Sequence, residues 1–362
     1  MFRKGKDTIS EIADNLDRSY KSVERKAYKI GDGLTTNLTK IKDIPNNVVN
    51  VETSKKVKGI DIINLLKDNL HNMQEASIRI ETPKKKPDGG DTLIVHFTDW
   101  HIGRIVKDED GNEVYNMNIF KDRVHKLLRE IITLLDLYIT KGTPITDVVI
   151  LSTGDILDGM GIFSSQEVSS EASPPFQVML AVEVIQNFIL ALTDRKLNVS
   201  FYGVKGNHGE IREGGKSKDP NANWDLMLYL ILNFWAMQTT FENKINVYYS
   251  ELDYLNLSIQ GWKYHIRHKA PQQSDTPAGK AKFLGWARKH QCHVLVYGHY
   301  HHYGIGDRSG VTVIRGGSLT GSDEYSEQLA EESEPIQLLW GCCKDRPVTF
   351  MYAIDLGQRK QK

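Results

Sequence analysis

Leu93-Ile94-Val95-His96-Phe97-Thr98-Asp99-Trp100-His101 is the stretch from which the rest of the chain can be read. A short apolar run follows a Gly89-Gly90-Asp91 turn signal and gives way at once to an acid and a histidine two residues apart. The simplest physical account is a buried strand whose end presents metal-competent groups. The same grammar recurs downstream. Asp147 to Ser152 precedes Gly154-Asp155-Ile156-Leu157-Asp158, and Val199 to Val204 precedes Gly206-Asn207-His208. Tyr264 to Arg267 precedes His268, and Val294 to Tyr297 precedes Gly298-His299-Tyr300-His301. With Val311 to Ile314 as a further strand and helical patterns such as Val178 to Leu192 and Leu226 to Met237 between them, the alternation predicts an α/β domain. No repeat of fixed period points to a solenoid or propeller.

In open α/β sheets, ligands gather at the carboxyl ends of the strands, so the five groups converge on one rim if their strands share a sheet. Their donors are carboxylates, an amide oxygen and imidazoles, with no thiolate. That set suits manganese, iron or zinc better than calcium or magnesium. Singly, an Asp-x-His pair is commonly a surface accident and a strand histidine a packed core residue. Five such groups in order, each bracketed by strand and turn signals, are the informative observation.

The order Asp-x-His, Gly-Asp-x-x-Asp, Gly-Asn-His, His, Gly-His-x-His resembles the calcineurin-like metallophosphoesterase superfamily from Asp91 to the C-terminus. Within it, Phe97 to Gly103 and Asp155 to Asp158 are similar to motifs of double-strand-break-repair nucleases of the SbcD type. The resemblance implies a four-layer α/β/β/α sandwich of two mixed sheets. It implies two divalent ions, manganese first, with iron, zinc or nickel as alternatives. Asp99, His101 and His301 would hold one ion, Asn207, His268 and His299 the other, and Asp155 would bridge them. A metal-bridging hydroxide would attack the phosphorus, His208 would protonate the leaving oxygen, and Asp158 would fix the His208 tautomer. The chain departs from the family where Gly209 and then Glu210 follow Gly-Asn-His, a place the family commonly gives to an acid. His265 and His268 are both candidates on one strand, and the strand end favours His268. Arg104, Arg212 and Arg267 flank the motifs, either as phosphate contacts or as ordinary surface charges. His96, His293 and His302 read as packing or outer groups.

Towards the N-terminus, Ile9, Ile12, Ala13 and Leu16, then Val23, Ala27 and Ile30, carry helical spacing around Asn15 to Ser19. This small helical domain over 1–33 fits both a DNA-binding helix-turn-helix and an ordinary helical hairpin. Residues 34–90 read as a linker with one helix, Gly59 to Met73, ending in the Pro-, Lys- and Gly-rich run Thr82 to Asp91. The phosphoesterase-like domain is then 91–362. Within it, Gly161 to Pro175 and Gly209 to Asn223 read as loops over the site, and Pro335 to Trp340 with Val348 to Ile354 as strands closing the sheet.

Composition bounds the partners. Among 362 residues, 46 Lys and Arg balance 46 Asp and Glu, so a nucleic-acid surface must be local, and Met1 to Lys42 is the more basic stretch. Three cysteines are too few for a disulfide framework and fit a reducing cytoplasm. The N-terminus lacks a secretory layout, and the apolar runs fall short of the roughly 20 residues a bilayer span needs, so no membrane association is expected. The function this predicts is a two-metal phosphodiester hydrolase acting on DNA as a nuclease. The alternatives are a phosphatase or cyclic-nucleotide phosphodiesterase, and a DNA-binding regulator whose phosphoesterase domain is silent.

Overall fold

The computed structural model describes residues 90–140, 144–162, 166, 169–213, 216–217, 219–239, 245–270, 276–322 and 333–357. The helix-turn-helix-like segment 1–33 and the linker with its helix up to residue 89 lie outside the described residues.

The chain enters the domain on β1 (Asp91–Phe97), crosses a small ribbon of β2 (Val106–Lys107) and β3 (Glu113–Tyr115), and forms α1 (Met117–Thr140). It continues through β4 (Ile145–Ser152), α2 (Pro174–Thr193), β5 (Asn198–Val204), the short hairpin β6 (Arg212–Glu213) and β7 (Lys216–Ser217), and α3 (Trp224–Gln238). Next come β8 (Ile245–Ser250), β9 (Tyr254–Ile259), β10 (Trp262–Arg267), α4 (Pro277–His290) and β11 (Val294–Tyr297). The chain ends with β12 (Gly304–Arg308), β13 (Val311–Arg315), β14 (Ile336–Cys342) and β15 (Met351–Asp355).

Two mixed sheets result. The six-stranded sheet runs β15-β14-β1-β4-β5-β8 and the five-stranded sheet β12-β13-β11-β10-β9. In the first, β1, β4, β5 and β8 are parallel, and the C-terminal strands β14 and β15 extend its edge antiparallel. In the second, β10, β11 and β13 are parallel, with antiparallel β9 and β12 at the edges. Ile94, Val149, Leu151 and Val204 of the first sheet meet Ile266, Val294, Val296 and Ile314 of the second in one buried cluster. The opposite face of the first sheet is covered by helices, as Phe97 against Phe188 of α2 and Phe201 against Tyr229 of α3 show. The opposite face of the second sheet is covered by α4 through Phe283, which joins Leu295, Tyr297 and Val313. The layers are therefore α/β/β/α. Central strands covered on both faces are buried almost continuously, which is why Leu93 to Phe97 reads as an unbroken apolar run.

Two expectations need correction. Val178 to Leu192 belongs to a 20-residue helix, α2, that is long and apolar enough by length and composition to cross a bilayer. Its apolarity has another use: Val178, Ala181, Val182, Ile185, Phe188, Ile189 and Leu192 are all buried within the protein. The functional groups also do not share one sheet. β1, β4 and β5 lie in one sheet and β10 and β11 in the other.

Candidate metal centre

Convergence is achieved across the sheet-sheet boundary. The loop after β1 and the loop after β4 run side by side, zipped by Thr153 N–H to Phe97 O (3.0 Å), Asp99 N–H to Gly154 O (3.2 Å) and His101 N–H to Asp155 O (3.0 Å). The second sheet is tied in by His299 N–H, which donates to Asp99 Oδ2 at 2.9 Å, and by His268 Nδ1, 2.8 Å from Thr153 O. Five of the converging residues hold left-handed backbone: Asp99 (φ 52°), His101 (48°), Asp155 (51°), His299 (77°) and His301 (60°). Non-glycine residues rarely adopt this conformation, and its cost persists only where the surroundings over-determine it. Glycines supply the clearance. A Cβ on Gly298 would lie 2.0 Å from Thr98 Oγ1, and one on Gly206 would lie 2.1 Å from Asp155 Oδ1.

Three groups of metal-competent side chains form among the described residues, and one of them, His101, Asp158 and His208, shares His101 with the first group below. In the first, Asp99, His101 and His301 bring one donor atom each within 4.8 Å of the others. His101 Nε2 and His301 Nε2 are 3.1 Å apart, and Asp99 Oδ1 stands 4.0 and 3.6 Å from them. Asp99 Oδ2 is occupied by Thr98 Oγ1–H at 2.6 Å and by His299 N–H. Its Oδ1 is buried and has no hydrogen-bond partner among the described residues. In the second group, Asp155, His268 and His299 lie equally close. His268 Nε2 is 3.0 Å from Asp155 Oδ2, 2.9 Å from Asn207 Oδ1 and 3.1 Å from His299 Nδ1. Because His268 Nδ1 donates to a carbonyl, its Nε2 lone pair points at the other donors, the usual arrangement of a metal-bound imidazole.

These observations fit divalent cations. An orphaned buried carboxylate oxygen facing two imidazole nitrogens is costly without a positive charge between them. Imidazole, carboxylate and amide oxygen together match borderline metals.

Without an ion the protein groups share protons among themselves, and a cation binding here would displace the proton of His268. Burial pushes the Asp99 carboxyl up to about 7, against the attraction of His268. Burial would also raise Asp155, but the charges of His268 and His208 hold it well below the usual carboxylate range. His268 rises to about 9 because Asp155 and its hydrogen bond outweigh burial. Burial and neighbouring imidazoles keep His101 and His301 below the usual histidine value and bring His299 to about 3. Neutral imidazole is the form that ligates a cation.

Asp158 lies between two histidines, its Oδ1 3.5 Å from His101 Nδ1 and 3.2 Å from His208 Nδ1. One carboxylate therefore orients both a ligand of the first group and the His208 ring packed edge-on against it. His208 N–H donates to Asp155 Oδ1 at 2.8 Å. Its imidazole is raised above the usual value: burial opposes this, and the charges of Asp155 and Asp158 with the Asp158 hydrogen bond override it.

The three arginines separate. Arg104 follows the β1 loop, where its N–H donates to His101 O, and its charge lowers both His101 and His301. Arg212 is engaged at the surface by Glu210, at 2.8 and 2.9 Å. Arg267 lies over the Trp286 ring at 3.7 Å, its Nε bonded to Lys269 O. Of the histidines set aside, buried His265 is 2.7 Å from Asn256 and stacks on His290. Buried His96 bonds Thr153 Oγ1, and His293 Nδ1 accepts from Lys263 N–H. His302 is half-buried.

Sequence reasoning missed the groups that hold the ligand loops. Asp225, wholly buried at the start of α3, accepts N–H bonds from Asp155 and Gly206, both at 2.9 Å. Gln337 of β14 brackets Thr98 through its N–H and its carbonyl and also accepts from Trp100 Nε1. Gln177 of α2 accepts from Gly159 N–H, and Gln166 donates to Asp158 O. The only sequence signal was Asn223-x-Asp225, which reads as a routine helix N-cap.

Residues 92–303 match the family model described as calcineurin-like phosphoesterase. No curated protein matches the sequence. Among solved structures, an archaeal phosphodiesterase is 13% identical, with 72% of this chain and 99% of that one covered and a TM-score of 0.33. Vacuolar Protein Sorting 29 from Cryptosporidium parvum is 16% identical, with 75% and 94% covered and a TM-score of 0.36. A predicted phosphoesterase from Streptococcus pneumoniae TIGR4 is 11% identical, with 74% and 98% covered and a TM-score of 0.30.

Proposed function

Because this chain belongs to the calcineurin-like phosphoesterase family, we propose that it is a two-metal phosphodiester hydrolase whose substrate is DNA. The observation that carries the metal-dependent part is the Asp99 Oδ1 atom, buried and partnerless among the described residues, facing His101 and His301. Asp99, His101 and His301 would hold one ion and Asn207, His268 and His299 the other, with Asp155 shared. Manganese is the first choice, and iron, zinc or nickel suit the same donors. Such ions, when bound, supply Lewis-acid activation of water and screening of phosphoryl charge.

The chain's own groups do the rest. With a proton on Nδ1 towards Asp158 Oδ1, 3.2 Å away, His208 would have its Nε2 available to protonate the leaving oxygen. The raised imidazole pKa favours the charged form, the form able to donate. A protonated histidine matters most when the leaving group is a sugar alkoxide, a poor leaving group that must take up a proton, which supports nucleic acids and other esters of sugar hydroxyls over aryl esters as substrates. Free thiols at Cys292, Cys342 and Cys343 support a reducing compartment, and the cytoplasm is the one we assign. The 1–33 segment is assigned a second DNA contact.

The test is manganese-dependent cleavage of labelled single-stranded, double-stranded and nicked DNA by the wild type, His208→Ala and Asp155→Ala. His208→Ala is expected to lose on the order of 10²–10⁴ in rate on DNA. Its loss on bis(p-nitrophenyl) phosphate should be smaller, because nitrophenolate departs without a proton. Hydrolysis of small esters or cyclic nucleotides with no cleavage of any DNA would move the function to a phosphatase or nucleotide phosphodiesterase. Metal binding without any hydrolysis would indicate a silent DNA-binding regulator.

A further inference from the structure

A groove of about 650 Å³ opens directly from the second ligand group, with Asn207 and His268 in its wall. Its far side is built by Arg267, Lys269, Lys282, Trp286 and Tyr300. Arg267 is held in place there: its guanidinium lies flat enough on Trp286 to bring Cζ 3.7 Å from the ring centroid, and Nε donates to Lys269 O at 2.6 Å. Lys282 Nζ stands 5.4 Å from the same ring. Tyr300, edge-on to ligand His299, is anchored by its hydroxyl to Ala270 O.

The charges in this groove are unequal. Of its acids, Glu210 is taken by Arg212, and Asp253, 3.5 Å from Lys205, also acts on the Arg267 charge. Lys205 itself is bonded to Pro220 O and Glu251 O. Among the described residues no carboxylate pairs with Lys269 or Lys282, and both are exposed. Three cations, one of them fixed on an aromatic face, thus stand beside the metal centre but outside its ligand set. A stacked guanidinium keeps its donor edges for an anion, and arginine with lysine on a groove wall is the usual footprint of a nucleic-acid backbone.

We infer that this groove is a subsite for the phosphate next to the scissile one, so that the substrate is a nucleic-acid strand of more than one phosphate. This rests on the hydrolase reading of the site and deepens it by assigning Arg267, Lys269 and Lys282 to the flanking phosphate and Trp286 to the positioning of Arg267.

The test is binding of a short fluorescein-labelled, phosphorothioate-linked DNA single strand to the full chain in manganese, followed by anisotropy. Competition by deoxyadenylate, which carries one phosphate, runs in parallel. Lys269→Glu and Lys282→Glu should each raise the oligonucleotide Kd about tenfold and flatten its salt dependence by about one unit of slope. The preference for oligonucleotide over deoxyadenylate should fall by about the same factor. Lys280→Glu, an exposed α4 lysine outside the groove with the same charge change, should leave that preference unmoved. Equal loss for both ligands, equal loss in Lys280→Glu, or no binding of the oligonucleotide by the wild type would overturn the subsite. Binding in the groove as described, with no cleavage of the same strand made with ordinary phosphodiester linkages, would leave the subsite standing and end the nuclease reading. A strand that is cleaved with a Kd indifferent to both groove substitutions would do the reverse.

Discussion

Asp225 Oδ2 accepts the backbone N–H of Asp155 at 2.9 Å, so a carboxylate on α3 holds the very residue whose own carboxylate serves the metal centre. The same oxygen takes Gly206 N–H, which ties the β4 and β5 ends together. Asp225→Asn removes one of the acceptors and turns an amide donor towards N–H groups in a dry site. A loss of about 1–3 kcal/mol of stability is expected, read by urea denaturation, with weaker metal uptake alongside it.

Asp158 is shared between His101 and His208, so one substitution should have two separable effects. Asp158→Asn is expected to weaken metal affinity about 10- to 100-fold through His101. It should also move the basic limb of the rate profile to lower pH, because the Asp158 carboxylate that raises the His208 imidazole is gone, an effect that added metal does not repair. Metal titration of the chelated protein and a pH-rate profile at saturating manganese would separate the two.

Glycine substitutions should behave oppositely at two positions. Gly298→Ala places a Cβ 2.0 Å from Thr98 Oγ1 and 2.5 Å from Asp99 Oδ2, so it should displace the Asp99 carboxylate and abolish binding of one metal equivalent. Gly285→Ala, within α4, meets nothing within 4 Å. Its expected gain is about 0.5–1 kcal/mol from reduced chain entropy, seen as a raised melting temperature.

Stability of the metal-free protein should fall in acid through His96. Burial lowers this imidazole to about 3 in the fold, while the unfolded chain titrates near the ordinary value of 6.5. Between those pH values the unfolded state binds the extra proton, so the contribution is complete above about 6.5 and is lost as pH drops towards 3. His96→Gln, which keeps a polar partner for Thr153, should flatten the slope of unfolding free energy in that window by up to about 1.4 kcal/mol per pH unit.

Chelation should lower the melting temperature, and restored manganese should raise stability by about 3 kcal/mol for each ion bound once its concentration is a hundredfold above Kd. Calorimetry with and without a chelator reads this directly. Indifference to metal would contradict the ligand assignments.

The strand-end ligands were legible because each follows an apolar run and precedes or contains a turn residue, and those local signals survive in one dimension. Asp225 was not, since an acid in the first turn of a helix after an Asn cap has a sufficient local explanation. Gln337 was hidden differently: it sits in a strand buried along its whole length, 239 residues from the Thr98 backbone it brackets. β12, with Gly304, Gly306 and Asp307 in five residues, carries no strand signal and exists by pairing with β13 at a sheet edge. The convergence across two sheets also needed the three-dimensional structure, because a strand-end motif does not say which sheet its strand will join.

His101 and His301 are 200 positions apart in the chain and 3.1 Å apart in space. During synthesis, a nascent chain that has emerged only through β8 carries Asp99, His101, Asp155 and Asn207 but lacks His268, His299 and His301. Capture of a cation by the full set of candidate ligands would therefore report that the chain has been made and folded at least as far as His301. A bound ion would act as a clasp between the two sheets, one that a truncation or a stalled ribosome before His301 would leave open.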